Sequence, residues 1–591
     1  MVNRYKTLFD KYTFESRRLN REFNMLAFAR LLSVASFLIT TWFCISQFSL
    51  MLLLFASLSL IVFLFLMKKQ DSIRYRLDLT KALKEINRNE MDFLKSGKSA
   101  FDNGSSFLPE KHPNAGDLDL FGEFSLYHHL NRASTTMGNR RLAGKLLGDD
   151  SNTDIEAKQL AIKELMPETD LRQMIQATGM LAKDSPEDFR RIVEWSSGAA
   201  SVLSLVVRTL SFAGPVVLAA LIFASFISGA WWIPYAASLV FIFNLLMLGM
   251  QMKKLKNEIS GADKVDIILK NYSRIAVRIE EKSFQSPMLR NLQNVPGNGS
   301  VTISHQLAKL SALFRGLESI SNVLALFILN GLMQYHVHAL HALLKWKKDH
   351  AASLPLWLDR IGEAEALSSL ANFAANNTDY AFPEMVAEPG FSFSNLGHPL
   401  ILHDKRICND VDFADKRFVI LTGSNMSGKS TFLRTLGVNL ILARTGAPVC
   451  ASHARVFPAD VLTSIQQSDS LNENESYFFA EVKRLKAIMD AASGKPVFIL
   501  LDEILRGTNS DDKRNGTMEV IRKLAAIDCY GIIATHDLEI CNMEPDYPGV
   551  LSNMCFEAEI KNNELHFDYK LRGGVCRNKS ATFLMKKMGI I

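Results

Sequence analysis

The sequence predicts an α/β domain at the C-terminal end of the chain and, before it, an all-α region that two apolar helical hairpins interrupt. Three observations support this fold class. A glycine-rich loop lies between the apolar run 418–421 and the helix-like run 432–436, which is the order strand, loop, helix. Two long stretches, 31–67 and 209–252, contain no charged residue. The other segments before residue 388 have the periodicity of amphipathic helices, so we expect several domains rather than one core.

The overall composition excludes few classes of protein. Hydrophobic residues make up 48% of the chain, which is high for a sequence with 22% charged residues, and the excess lies in the two charge-free stretches. The formal net charge is only +6, so composition alone does not indicate nucleic-acid binding. The seven cysteines are scattered without a C-x-x-C pair. We interpret them as reduced thiols or core residues and expect no metal at them.

The glycine-rich loop has the spacing G-x-x-x-x-G-K-S, which is typical of a phosphate-binding loop. Glycines let backbone N–H groups approach phosphate oxygens closely, and the helix that follows contributes the positive end of its dipole. Lys429 is expected to reach the β and γ phosphates of ATP, and the Ser430 hydroxyl to bind Mg²⁺. The predicted nucleotide-binding residues are Gly423, Ser424, Asn425, Met426, Ser427, Gly428, Lys429, Ser430 and Thr431.

Two later apolar runs supply the groups that this loop needs for hydrolysis. Residues 497–501 read as a buried strand that ends in Asp502 and Glu503. Asp502 is expected to hold Mg²⁺, and Glu503 to orient and polarise the attacking water. A second buried strand, 530–535, ends in His536, which would contact the γ-phosphate if its strand lies beside that of Asp502. The alternative for His536 is a simple polar end of a strand.

Ser476 lies in a polar stretch that leads into an amphipathic helix. A serine hydroxyl near the free N–H groups of a helix N-terminus can bind an anion. In ABC-type ATPases such a serine closes on the nucleotide of the opposite subunit. We therefore expect Ser476 to complete a nucleotide site across a homodimer.

The two charge-free stretches are long enough for two membrane-spanning helices each, because one span needs about 20 apolar residues. The first is expected to turn at 46–49 and the second at 228–234, where paired tryptophans suit a membrane interface. Basic residues flank both stretches, which places their ends in the cytoplasm. This predicts a multi-pass protein of the cell membrane with four transmembrane helices and a cytoplasmic ATPase domain. The alternative is a pair of buried hairpins in a soluble protein.

The predicted order along the chain has six parts. They are a basic cytoplasmic N-terminus 1–30, hairpin 31–67, a helical part 68–204, hairpin 209–252, a second helical part 253–387 and the α/β domain 388–591.

Several motifs in this order resemble those of the DNA mismatch-repair MutS family. Residues 422–431 read TGSNMSGKST, which is similar to that family's T-G-P-N-M-x-G-K-S-T, and residues 502–512 read DEILRGTNSDD, which is similar to its D-E-I-G-R-G-T-S-T-x-D. Ala534-Thr-His536 matches its A-T-H. Weaker similarities lie at 397–399, 409–410 and 569–571 in the C-terminal domain, and at 135–140 and 363–371 in the helical region.

The resemblance implies an ABC-type P-loop ATPase domain, preceded by the family's all-α core or lever domain and coupled through it to DNA. It also implies ATP sites shared between two subunits. The family's mismatch-recognition domain has no expected counterpart, because the first hairpin occupies that end of the chain. The aromatic residue that packs on adenine in relatives is replaced by Arg406, whose guanidinium can still stack on a base.

Two functions follow from these observations. The first is a membrane-anchored MutS-like ATPase with ATP-dependent DNA binding, related to mismatch repair or recombination control. The second is an ABC-like membrane motor or assembly ATPase without a nucleic-acid role. DNA-binding measurements at low salt distinguish the two.

Overall fold

The computed structural model describes most of the chain, namely residues 1–47, 49–109, 112, 114–149, 154–199, 201–259, 264–293, 302–465, 477–492, 494, 496–561, 564–577, 585 and 590. These residues form a helical region followed by an α/β domain.

The chain begins with two very long helices, α1 (Val2–Ser46) and α2 (Leu50–Ser96). They pack side by side over their length, and the short connection between them lies where the sequence predicts the first turn. The two helices extend well beyond the predicted hairpin 31–67. The basic segment 1–30 forms the first part of α1, and residues 68–96 complete α2. The apolar stretch and its charged flanks are therefore continuous helices rather than separate parts.

The rest of the helical region contains thirteen further helices among the described residues. They are α3 (Leu126–Leu130), α4 (Thr136–Leu147), α5 (Ile155–Leu165), α6 (Thr169–Ala182), α7 (Pro186–Ser197), α8 (Leu205–Ser228), α9 (Ile233–Ile259), α10 (Val265–Glu280), α11 (Pro287–Gln293), α12 (Ile303–Glu318), α13 (Val323–Met333), α14 (Tyr335–His350) and α15 (Leu354–Asn376). Helix α15 is buried along most of its length and lies at the centre of this region. Helices α4, α5, α6 and α10 pack around it.

Four described helices are long and apolar enough to cross a membrane: α1, α2, α8 and α9. Only 6–28% of each apolar window is buried inside the protein. The second pair, α8 and α9, turns at 229–232, within the predicted turn.

The segment 253–387 differs from expectation in one respect. It was predicted to contain amphipathic helices, and α10 and α12 bury one face as expected. Helix α13 is instead apolar on all sides, with the sequence VLALFILNGLM, and meets α12 at a bend of 111°. The absence of charge from 319 to 344 was the signal that could have identified it.

The C-terminal domain contains two sheets. Its strands are β1 (Glu384–Met385), β2 (Phe391–Leu396), β3 (Asn409–Asp412), β4 (Phe418–Gly423), β5 (His453–Val456), β6 (Asp460–Ser464), β7 (Val497–Asp502), β8 (Tyr530–Thr535), β9 (Leu551–Lys561) and β10 (Glu564–Gly573). The smaller sheet has the order β1-β5-β2-β3, and the larger has the order β10-β9-β4-β8-β7-β6. Strands β4, β7 and β8 are buried throughout and pair in parallel, as expected for apolar strands in the centre of an α/β sheet.

Three helices accompany the larger sheet: α16 (Lys429–Thr445), α17 (Tyr477–Ala492) and α18 (Ser510–Ala526). The domain is joined to the helical region by the segment 114–120. Leu118 lies so close to Gly437 of α16 that a Cβ there would be 2.5 Å from its Cδ2 atom. The buried carboxylate of Asp117 accepts hydrogen bonds from the Thr463 hydroxyl and the Ile465 N–H, at 2.7 and 2.9 Å. The helical region is thus fixed directly to the β6 edge of the larger sheet.

Candidate nucleotide-binding site

The predicted glycine-rich loop connects β4 to α16, as the strand-loop-helix order requires. Two glycines are needed for its geometry. A side chain at Gly423 would lie 2.7 Å from Ser427 Oγ and 2.8 Å from the carbonyl oxygen of Phe556. Gly428, just before α16, has a φ of +103°, which L side chains rarely adopt. The loop therefore exposes backbone N–H groups at the start of a 17-residue helix, which is an anion-binding arrangement.

The Lys429 side chain is hydrogen-bonded to the backbone of this loop. Its ammonium donates hydrogen bonds to the carbonyl oxygens of Gly423 and Ser424, at 2.9 and 3.2 Å. Burial lowers the pKa of this lysine. The hydroxyl oxygens of Ser424 and Ser427 are buried without a hydrogen-bond partner among the described residues. The loop thus holds a cation and unsatisfied polar groups, which is the complement of a phosphate.

The side chains of Ser430 and Asp502 contact each other and form a pair of oxygen ligands suited to Mg²⁺, which we call the Ser430–Asp502 corner. The Ser430 hydroxyl donates a hydrogen bond to Asp502 Oδ2 at 2.5 Å. The other carboxylate oxygen of Asp502, Oδ1, is buried and has no hydrogen-bond partner among the described residues. Burial raises the pKa of Asp502, so a cation beside the carboxylate would relieve an energetic cost. A hydroxyl and a carboxylate are hard oxygen ligands, and Mg²⁺ is typically held by few protein ligands together with phosphates. The two residues fit the predicted metal.

Glu503 and His536 contact each other. Strand β8 pairs with β7 so that Asp502 lies opposite Ala534, which brings His536 next to Glu503 as the prediction required. His536 Nε2 lies 2.6 Å from Glu503 Oε1. This hydrogen bond from His536 lowers the pKa of Glu503 to about 2, so the carboxylate is ionised at neutral pH. His536 Nε2 is also 3.3 Å from Lys429 Nζ. The five predicted residues Lys429, Ser430, Asp502, Glu503 and His536 therefore lie together at the ends of β4, β7 and β8.

Arg506 and Glu481 belong to the same corner, although the sequence analysis assigned them no role. Arg506 Nε lies 3.6 Å from Glu503 Oε2. The buried carboxylate of Glu481, in α17, accepts the backbone N–H groups of Leu505 and Arg506, at 2.6 and 3.1 Å. Glu503 and Leu505 both have a positive φ, +48° and +62°, so this turn is strained for non-glycine residues. Glu481 thus holds the strained turn that carries Glu503. A carboxylate at the fifth position of a helix gave no recognisable sequence signal.

A cavity of about 450 Å³ opens beside the loop and has room for a base and ribose. Besides the residues of the loop, Leu396, His398, Ile407 and Tyr569 line this cavity. Asn409 fixes the backbone around Tyr569: its side-chain amide donates to the Tyr569 carbonyl oxygen at 3.0 Å and its oxygen accepts the Leu571 N–H at 2.8 Å. The tyrosine ring covers the loop at Gly428.

Arg406, which replaces the base-stacking aromatic residue of relatives, does not line the cavity. Its guanidinium donates to the carbonyl oxygen of Ile401 at 2.8 Å and lies 5.3 Å from the ring centre of Tyr380, so it is directed away from the cavity. Tyr569, which the sequence analysis noted only as part of a motif, lines the cavity together with Phe432 and Phe556. Ser476 lies outside the described residues, and its proposed contact across a dimer stays a prediction.

Comparison with known proteins agrees with this geometry. The family model of MutS domain V matches residues 419–589. The C-terminal domain belongs to the MutS family. Human "MutS protein homolog 4" is 31% identical over 243 residues, which is 39% of this chain and 25% of that protein. "DNA mismatch repair protein MutS" of Clostridium kluyveri and that of Lachnoclostridium phytofermentans are each 30% identical over 224 residues, 36% of this chain and 26% and 24% of those proteins.

These matches span only about a quarter of the relatives' length. MutS domain V is an ATPase domain, and the loop, the Ser430–Asp502 corner and the Glu503–His536 pair all lie inside the matched range. The helical region and its apolar hairpins lie before that range.

Proposed function

We propose that this protein is a membrane-anchored, MutS-like ATPase that hydrolyses ATP with Mg²⁺ and couples the nucleotide state to DNA binding, in a role related to mismatch repair or recombination control. The observation that carries the proposal is the convergence of Lys429, Ser430, Asp502, Glu503 and His536 at one end of the central strands. Phosphoryl transfer depends on positioning and charge stabilisation, and these residues supply both.

Each residue has a distinct task in this reaction. Lys429 exchanges its two carbonyl partners for the β and γ phosphates, which are stronger acceptors. Ser430 and Asp502 hold Mg²⁺, which neutralises developing negative charge on the phosphates. Glu503 accepts a hydrogen bond from the attacking water, and His536 contacts the γ-phosphate. His536 and Arg506 both contact the Glu503 carboxylate, which keeps acceptor sites for a hydrogen bond from the attacking water.

The proposals of DNA binding and dimerisation rest on the similarity to the MutS family. Two of the relatives are named for DNA mismatch repair. We propose that two copies of this chain form a homodimer through their ATPase domains, with Ser476 of each copy contacting the nucleotide of the other.

Membrane anchoring rests on the four apolar helices. We propose that α1, α2, α8 and α9 cross the cell membrane, with both helical hairpins turning outside the cytoplasm and the ATPase domain inside. Their exposed apolar windows and the basic residues at both ends of each hairpin support this.

A second function is favoured by a specific contact, and would make the protein a membrane motor or assembly ATPase without a nucleic-acid role. The cytoplasmic ends of the first hairpin are bonded to α15: the Tyr5 hydroxyl donates to Asn376 Oδ1 at 2.9 Å, and Glu90 Oε1 accepts from Asn372 Nδ2 at 2.9 Å. Movement of the ATPase could therefore reach the membrane helices through α15.

The ATPase proposal is tested with Lys429→Ala in the full-length protein. Loss of the ammonium should abolish ATP binding or turnover, whereas Lys486→Ala on the exposed face of α17 should have normal activity. Turnover is measured as phosphate release with and without Mg²⁺. Unchanged activity in Lys429→Ala would refute the assigned site.

DNA binding is tested with the full-length protein across duplex, mismatched and branched DNA. If no form binds at low salt and none stimulates ATP turnover, the DNA part of the proposal fails and the motor function remains. Topology is tested by attaching single labelling tags at Gln47 and Gly229. Both should react from outside the cytoplasm, and reaction from inside would contradict the membrane orientation.

A further inference from the structure

We propose that helix α13 is a fifth membrane-embedded element, a half-span that lies in the cytoplasmic leaflet beside α9 and contacts lipid acyl chains. The inference rests on the proposed membrane insertion of α8 and α9. It adds a lipid-contacting surface to the helical part 253–387, which the sequence analysis assigned to the cytoplasm.

The composition of α13 does not suit water. Its 11 residues contain no charge, and six large apolar side chains are at least 40% exposed. They are Val323, Leu324, Phe327, Ile328, Leu332 and Met333. A helix on the surface of a soluble protein normally has a polar outer face, and a large contiguous apolar patch marks an interaction site. At about 16 Å, an 11-residue helix is half as long as the hydrocarbon core is thick.

The contacts of α13 place it beside the middle of the second hairpin. Gly331 lies under the ring of Phe241 in α9, with no room for a side chain between them. Asn244 of α9 donates a hydrogen bond from Nδ2 to the Gly331 carbonyl oxygen at 2.9 Å. On the other side, a Cβ at Gly214 of α8 would lie 2.2 Å from Asn244 Oδ1. The end of α13 is therefore held at the level of Asn244 and Gly214.

That level can be measured along both helices. Asn244 is nine residues before Lys253, the first charge after the span, which corresponds to about 13 Å of helix. Gly214 is six residues after Arg208, which corresponds to about 9 Å. The distances along α8 and α9 are consistent with each other. They place the end of α13 roughly 9–13 Å inside the cytoplasmic boundary of a hydrocarbon core about 30 Å thick.

The buried polar side chains at this depth are hydrogen-bonded to one another, and only Gln334 Oε1 among their described oxygen and nitrogen atoms has no partner. A buried group that we call the Asn244 cluster consists of Asn244, Asn330, Gln334 and His336. Gln334 Nε2 donates to Asn244 Oδ1 at 2.8 Å, and the Asn330 side chain contacts His336 Nδ1 and accepts the His336 N–H at 3.0 Å. Non-helical backbone within a membrane is tolerated where its polar groups are bonded to protein, and here the break between α13 and α14 is such a place.

The surface around α13 indicates that lipid contacts its exposed apolar face. Exposed side chains of α9 near the same level are apolar as well: Phe243 and Leu246. The exposed face of α13 is thus continuous with the surface that α9 would present to the bilayer. Because the Asn244 cluster also joins α13 to the start of α14, this arrangement attaches a helix of the ATPase-linked region to the membrane.

The experiment uses the full-length protein in phosphatidylcholine–phosphatidylglycerol vesicles, with nitroxide labels on single introduced cysteines. The background carries Cys44→Ser and Cys408→Ser, because the other five cysteines are buried. Labels at Ile328→Cys and Leu324→Cys are compared with Val216→Cys, at an exposed position of α8, as the lipid control and Lys309→Cys in α12 as the water control. Collision rates with oxygen, which partitions into lipid, and with a water-soluble nickel chelate report the surroundings of each label.

We expect the labels at Ile328 and Leu324 to collide more often with oxygen than with the chelate, as at Val216. Collisions mainly with the chelate, as at Lys309, would overturn the proposal and leave α13 in water. Protection from both reagents with spin–spin broadening would also overturn it, because it would place α13 between two copies of the chain. A chelate-accessible label at Val216 would instead refute membrane insertion itself. ATP turnover of each labelled variant checks that it is folded.

Discussion

The charge state of Glu503 determines what it can do in the reaction. His536 and Arg506 stabilise its carboxylate, and the hydrogen bond from His536 holds its pKa at about 2. The group is therefore ionised throughout the physiological pH range and needs no further deprotonation to accept a hydrogen bond from water. Whether the Glu503 carboxylate can accept a hydrogen bond from water therefore depends on its hydrogen-bond partners and not on its protonation.

The first prediction is that Glu503→Gln binds ATP but hydrolyses it about 10²–10⁴-fold more slowly, the range expected for loss of a general base. Glutamine keeps the shape and can still contact His536, so the site should stay assembled. Binding is measured with a fluorescent ATP analogue and turnover by phosphate release. Full turnover in this variant would remove Glu503 from its assigned role.

The second prediction concerns Glu481, which acts on Glu503 only through the turn at Leu505 and Arg506. Glu481→Gln replaces one of the two acceptor oxygens with a donor, so one backbone N–H loses its partner. We expect kcat to fall while the KM for ATP changes little, because no phosphate-binding group is touched. The matched control is Lys486→Gln on the exposed face of the same helix. Equal effects on kcat and KM, or none, would show that Glu481 does not position the turn.

At the scale of elements, the first hairpin is anchored by a buried ionic network. Glu90 of α2 pairs with the guanidinium of Arg132, and both side chains are nearly inaccessible. Glu90 also accepts from Asn372 and Asn376 of α15, at 2.9 and 3.2 Å. Because the charged groups are out of water, removing one partner leaves the other uncompensated.

The third prediction is that Glu90→Gln destabilises the protein by about 3–5 kcal/mol, the usual cost of breaking a buried ion pair on one side. Glu85→Gln, five residues earlier on the exposed face of α2, should be nearly neutral. Both are compared by thermal unfolding in detergent. A variant as stable as the control would mean that α2 is not anchored through this carboxylate.

Elements with strict local chemistry could be predicted from the sequence. The glycine-rich loop, the strand ending in Asp502 and the strand ending in His536 all lie where expected, because phosphate and metal binding restrict both residue type and position. The directions of Arg406 and Tyr569 could not be predicted, since they depend on which loops fold over the cavity. The continuation of α1 and α2 beyond the apolar stretch depends on packing against α15 and other distant segments, such as the Tyr5 contact, which a one-dimensional pattern does not show.

At the scale of the whole molecule, Glu365 lies in the middle of α15, the buried central helix of the helical region. Its fully buried carboxylate accepts hydrogen bonds from the Thr135 hydroxyl and, at 3.1 Å, from the Ser134 N–H, at the start of α4. Gly138 of α4 and Gly179 of α6 leave no room for side chains against it. Burial raises the pKa of Glu365 to about 7, so folding takes up a proton at mildly acidic pH.

The fourth prediction follows from this proton uptake. The ordinary pKa of a glutamate is 4.5, and the folded value is about 7. Between these values the folded state holds a proton that the unfolded state has lost, so stability falls as pH rises, by about 3 kcal/mol in total. Thermal unfolding in detergent should therefore show lower stability at pH 8 than at pH 5. In Glu365→Gln, which cannot ionise, this part of the decline should disappear, whereas Glu85→Gln should keep it. If the Glu365→Gln protein declines as steeply as the parent, other carboxyl groups carry the pH dependence, and α15 is not the point at which protonation and folding are linked.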